Sequence, residues 1–189
     1  MKRLFCLILA LLMASAVVLV SCKKEEVGAD VDTKAAVASI LEKATAAVGE
    51  GIIPMTLDVE LTKDNCKGYT GLEPEKFEEY VMDGYTMAAA LSSQAFDLAL
   101  IKCKDYAAAK EVKKLVAAGF NPAERVCAVS ELAFVVESGR FVLLGGVKAS
   151  AAEAFQKAFA DQFETKIGEV NTFFERGNDA PGEGGLNLG

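Results

Sequence analysis

From Phe96 to Cys103 the sequence reads Phe-Asp-Leu-Ala-Leu-Ile-Lys-Cys, with charge only at Asp97 and Lys102. So continuous an apolar centre predicts a β-strand buried on both faces. A second β signal lies downstream. The runs Leu132 to Glu137 and Phe141 to Val147 flank Ser138-Gly139-Arg140, two β-rich segments around a short glycine-containing turn, which predicts a hairpin. Between these segments, Tyr106 to Ala118 has helical spacing, with Val112, Leu115 and Val116 inward and Gly119 after its end.

The segments on either side supply helices. Asp32 is a suitable N-cap for a helix from Thr33 to Val48, with Val37, Ile40, Leu41, Ala44 and Val48 along one face and Gly49 as the stop. Leu72-Glu73-Pro74-Glu75 reads as a helix start with Pro at the first position, good for about two turns. Ser150 and Glu153 have the spacing of a capping box. The helix it opens carries Phe155, Phe159, Phe163, Ile167, Val170 and Phe174 as one stripe, with Gly168 as a kink point. Residues 80–85 read as an edge-like extended piece broken by Gly84. In 52–72, Leu57, Val59 and Leu61 alternate with polar residues as a strand does, yet the same residues also fit a short acidic helix ending near Gly68. This mixture predicts an α+β fold, a two-layer sandwich of a mostly antiparallel sheet with helices packed on one face.

The N-terminal region addresses destination rather than fold. Lys2 and Arg3 precede an uncharged run from Leu4 to Val20, followed by Ser21 and Cys22 and then Lys23-Lys24-Glu25-Glu26. A basic start, an apolar stretch and small residues before a cut site define a secretory signal. Leu19-Val20-Ser21-Cys22 resembles a bacterial lipobox, which implies cleavage before Cys22 and a diacylglyceryl group on its sulfur. Two acyl chains anchor a protein stably where one does not. The organisation expected is a lipoprotein signal peptide at 1–21, a lipidated tether at 22–31, a single domain at 32–176 and a disordered Gly-rich tail at 177–189. The location expected is the extracytoplasmic face of the cell membrane, reached through the signal peptide.

Composition removes several functions. The chain has no histidine, which excludes imidazole triads, His-ligated zinc and the commonest general base near neutral pH. Its net charge is −7, and loss of Lys2 and Arg3 with the leader makes it more acidic, so nucleic acid is not an expected partner. Once Cys6 is cleaved and Cys22 acylated, Cys66, Cys103 and Cys127 remain, without the spacing of a disulfide framework. They fit either one bridge and a free thiol or three buried thiols.

A set of short matches between Gly71 and Phe163 resembles a lipoprotein family known as domain of unknown function 4358, common in Gram-positive anaerobes. Tyr69-Thr70-Gly71-Leu72-Glu73-Pro74 is similar to its Tyr-Gly-Leu/Ile-Asp-Pro turn. Glu79-Tyr80-Val81 and Met87 follow in order, then the apolar strand ending in Lys102, then Gly139-Arg140-Phe141-Val142 where the family commonly has Gly-Asn-Tyr-Val. Phe120-Asn121-Pro122 stands where the family carries Arg and Gln repeats before a Tyr-x-Pro turn. The family has no established activity, so the resemblance implies a surface lipoprotein and transfers no catalytic residue.

The candidate sites are few. Cys22 is the lipid attachment point. Lys102, at the end of the most apolar strand, either contacts an anionic ligand or is a lysine that reaches solvent and pairs with a nearby acid. Tyr80, Tyr85 and Met87 either form an exposed patch for a partner or cover the sheet edge. Glu124, Glu131 and Glu137 are the acids available for a carboxylate-only hydrolase. Asp58, Glu60 and Asp64 lack the glycine and spaced Glu of a calcium loop and read as a solvated acidic face. No metal or cofactor is implied. The function expected is a membrane-tethered, non-enzymatic binding or interaction module with an unidentified envelope or protein partner. An envelope hydrolase and a small-ligand-binding lipoprotein are the alternatives.

Overall fold

The computed structural model describes residues 31–49, 51–91, 93–124, 128–163 and 167–176. The leader, Cys22, Cys127 and the Gly-rich tail lie outside the described residues. The elements run α1 (Thr33–Val48), β1 (Thr56–Glu60), α2 (Cys66–Thr70), α3 (Pro74–Tyr80), β2 (Val81–Ala89), β3 (Asp97–Cys103), α4 (Tyr106–Gly119), β4 (Leu132–Ser138), β5 (Phe141–Val147), α5 (Ala152–Phe163) and β6 (Asn171–Glu175). The strands form one antiparallel sheet in the order β1-β2-β3-β5-β4-β6. The α+β class and its antiparallel sheet are those expected from the sequence.

The central strand explains the layering. Every residue of β3 is buried, as is every residue of its partner β5. Alternate side chains diverge to opposite faces. Leu98, Leu100, Phe134, Val136 and Leu143 pack with α1 and α5, while Ala99, Ile101, Val135, Val142 and Leu144 pack with α4. Helices therefore cover both faces rather than one. A sheet centre apolar on both sides leaves hydrophobic surface in water unless each face has its own helical cover. Phe155 and Phe159 of α5 are fully buried against the sheet, each contributing roughly 1.5–3 kcal/mol.

Local chemistry sets the boundaries. Asp32 accepts a hydrogen bond from Ala35 N–H at 2.9 Å and opens α1; Gly49, at φ 87°, closes it. Pro74 opens α3 at its first turn, and Asp105 opens α4 by accepting from Ala108 N–H at 2.8 Å. Ser138 pairs with Phe141, so Gly139 and Arg140 alone turn the hairpin, with Gly139 at φ 57°.

Further expectations are corrected. Residues 81–89 form a long interior strand between β1 and β3, unbroken by Gly84, and not an edge. The edge is β1, a strand as its alternation suggests, but Leu57 is 58% exposed because that face carries no helix there. The last helix stops at Phe163, and Asn171–Glu175 turns back as β6 to occupy the free edge of β4. Phe173 and Phe174 therefore border the α4-side core, opposite Phe155 and Phe159, and Gly168 lies in the connection rather than in a kinked helix. Finally, Ser150 does not cap α5. It sits inside a 3-10 turn, Ala149–Ala151, whose first N–H is bound by Glu131 Oε2 at 3.0 Å.

Candidate functional site

The top of the sheet, where β3 and β4 begin and β5 and β6 end, gathers five loop segments. They enclose an open cleft of about 560 Å³ lined by Gly51, Ile52, Pro54, Ser93, Gln94, Ala95, Ala128, Val129, Ser130, Glu131, Lys148 and Arg176. Ligand sites typically span about 300–1,000 Å³. Ser130, 3% exposed, sits over Gly146 of β5. A Cβ on Gly146 would lie 3.1 Å from the Ser130 hydroxyl and 3.5 Å from Cβ of Asp97, so a larger residue would crowd Ser130 where it lines the cleft.

Glu131 organises the rim. Its carbonyl accepts from Arg176 N–H at 2.8 Å, and its carboxylate accepts from Ala149 N–H, next to Lys148. One residue thus draws the end of β6 and the exit of β5 to the same wall. A carboxylate at the first turn of a helical segment also meets the positive end of its backbone dipoles.

The residues expected to form a site do not converge. Lys102 is 8% exposed on β3, in register with Asp83 and Phe141, and its ammonium donates to the Val31 carbonyl at 3.2 Å. It holds the entry to α1 at the bottom of the sheet, away from the cleft. Met87 is buried in the α1-side core, so it offers no surface to a partner. Tyr85 borders that same core beneath the Lys34 ammonium, whereas Tyr80 borders the α4-side core beside Lys76. The two tyrosines lie on opposite sides of the sheet and form no common patch. Cys22 lies outside the described residues.

The acids are also dispersed. Glu131, just before β4, and Glu137, near its end, are six residues apart, roughly 20 Å at strand rise. Glu137 is engaged by Lys113, and Glu124 bonds Asn121 in a turn outside the cleft lining. No two of the three share a cleft at the 5–10 Å separation that glycoside hydrolysis uses, so the geometry does not assemble a carboxylate pair. Asp58 is held by Lys34, whose hydrogen bond and charge keep its carboxyl below the usual range. Among the described residues no three His, Cys, Asp or Glu side chains gather to hold a metal ion.

Nor do the described thiols offer a nucleophile. Burial pushes Cys103 up to about 12, and burial also raises Cys66, whose sulfur lies 3.3 Å from the Leu72 carbonyl. A thiol kept protonated at neutral pH neither attacks nor binds metal well.

The lining residues escape a reading of the sequence because they come from separate loops with no shared motif, and Glu131 stands out there only as an acid. The chain matches no family model, no curated protein and no solved structure. Among the described residues no helix is long and apolar enough to cross a membrane.

Proposed function

We propose that this chain is a lipoprotein tethered through Cys22 to the extracytoplasmic face of the membrane, and that its domain is a non-enzymatic binding module whose ligand site is the loop-end cleft. The basic start, the apolar run and the lipobox-like Leu19-Val20-Ser21-Cys22 support the tether. The cleft carries the binding reading. Its concave shape suits a small polar ligand better than a flat protein surface. The dispersed acids and buried thiols argue for recognition over turnover.

The relative position of tether and cleft fits this role. Val31, where the chain enters the fold, is bonded to Lys102 at the bottom of the sheet. From there α1 runs about 24 Å toward the top. Val31 follows Cys22 by nine residues, a length of chain that spans about 30 Å at most. A domain anchored at Cys22 therefore presents its cleft away from the bilayer. Fractionation of cells expressing the wild-type chain and Cys22→Ser, with intact-mass measurement, tests the tether. The expected result is a diacylglyceryl mass on Cys22 and release or mislocalisation of the serine variant. An intact leader, or a serine variant still processed and membrane-bound, overturns it.

A further inference from the structure

We infer that the cleft binds a small molecule through an oxyanion, a carboxylate or phosphate group held by Lys148 and Arg176. This rests on the reading of the cleft as the ligand site and adds the class of ligand.

Nearly every described Lys or Arg is engaged. Lys34, Lys63, Lys67, Lys76, Lys113 and Lys114 pair with acids. Lys102, Lys104 and Arg140 donate to backbone carbonyls. Lys43 bonds Gln162, and Lys110 stands over the Tyr106 ring. Among the described residues, Lys148, Arg176 and the α5 residue Lys157 are the cations whose side chains have no such partner, and the first two line the cleft.

In a chain of net charge −7, two uncommitted cations on one concave wall are an exception that needs a counter-charge. Concave walls focus the field of such groups on a ligand. The acid among them, Glu131, has one carboxylate oxygen bound to Ala149 N–H, so part of its charge is already answered by the protein. Arg presents a planar fork that matches carboxylate or phosphate oxygens in pairs, and Lys adds a point charge. Ser93, Gln94 and Ser130 supply neutral hydrogen-bonding groups for the rest of the molecule. Among the described residues the lining has no aromatic ring, so stacking on a sugar or a nucleobase is not the source of affinity.

The test is a titration of the purified full-length protein with inorganic phosphate, acetate and glucose, following the amide shifts of Ser130, Ala149 and Arg176. Saturable shifts with phosphate or acetate are expected, with a dissociation constant on the order of 1 mM that rises with salt. Which anion binds more tightly separates a phosphate from a carboxylate ligand. Lys148→Gln and Arg176→Gln should each weaken binding about tenfold, while Lys157→Gln leaves it unchanged. Glu131→Gln should strengthen it, because a negative charge is lost while the oxygen that accepts from Ala149 is kept. All four positions are exposed, so folding is checked by an unchanged circular dichroism spectrum. Anion binding that ignores Lys148→Gln and Arg176→Gln overturns the inference. Glucose binding without anion binding also overturns it yet leaves the cleft as a ligand site. No shift with any probe overturns both.

Discussion

Lys113 on α4 and Glu137 on β4 form an ion pair at 2.5 Å, with side chains only 15% and 9% exposed. The same ammonium donates to the Glu169 carbonyl, and the Glu137 carbonyl accepts from Gly168 N–H at 2.8 Å. The pair thus ties a helix, an interior strand and the segment leading into the edge strand β6. A Cβ on Gly168 would lie 2.3 Å from the Glu137 carboxylate, so a larger residue there would push that carboxylate aside.

Removing one partner leaves a charge with little access to water. Lys113→Ala should destabilise the domain by about 3 kcal/mol, whereas Lys113→Met combined with Glu137→Leu should cost much less. Urea denaturation of both variants measures the difference. Equal losses would mean that the pair's charges do not matter to stability.

Gly71 and Gly119 touch backbone to backbone. A Cβ on Gly71 would lie 2.1 Å from the Gly119 carbonyl carbon, and Gly71 sits at φ 74° as the stop of α2. Gly71→Ala should cost about 3 kcal/mol or more, from left-handed strain and overlap together. Gly68, inside α2, has nothing within 4 Å of a Cβ, and Gly68→Ala should stabilise by about 0.5 kcal/mol. Thermal melts of the two variants should shift in opposite directions.

The Cys103 thiol titrates near 12 when folded, against an ordinary 9.0, because burial disfavours the thiolate. The folded state therefore keeps a proton that the unfolded chain releases. This contribution to stability is complete below about pH 9 and is lost as pH rises from there through about 12. Urea midpoints should fall over that window, and Cys103→Ala should fall less. At pH 8, peptide mapping after iodoacetamide should find Cys66 and Cys103 unlabelled until denaturant is added.

Phe159 is fully buried and meets Phe163 edge-on at 5.2 Å, while Phe163 stacks on Phe141 of β5 at 4.2 Å. Phe159→Ala should cost about 3–5 kcal/mol by leaving a cavity under α5. Phe173→Ala, on the half-buried edge strand, should cost less. Denaturant midpoints of the two variants rank them directly.

Much of this fold is legible in residues that act locally. Asp32 and Gly49 bound α1, Pro74 opens α3, and Gly139 marks the hairpin because each solves a backbone problem within a few residues of itself. The apolar run of β3 signals burial on both faces, and a helical cover on one face alone is at odds with it. What stayed hidden depends on distant partners. Phe174 has helical spacing from Phe163, yet it belongs to a strand because β4 had an open edge. Ser150 has the spacing of a cap, yet Glu131 supplies the acceptor from another element. Lys102 was conspicuous for its position, but its bond to Val31 places it at the bottom of the sheet. The cleft residues Lys148 and Arg176 carry no local signal, since only the meeting of β5, β6 and the residue before β4 makes them neighbours.

The most direct test of a tethered domain with an outward cleft is depth on a membrane. The full-length protein as isolated from the membrane fraction, in a Cys127→Ser background, is labelled with a fluorophore at Gln94→Cys on the cleft or at Met82→Cys, a 59% exposed residue at the bottom of the sheet. It is then bound to vesicles carrying quencher on the lipid headgroups. Strong quenching at position 82 and weak quenching at position 94 is the result expected. Equal quenching, or stronger quenching at the cleft, would contradict the account.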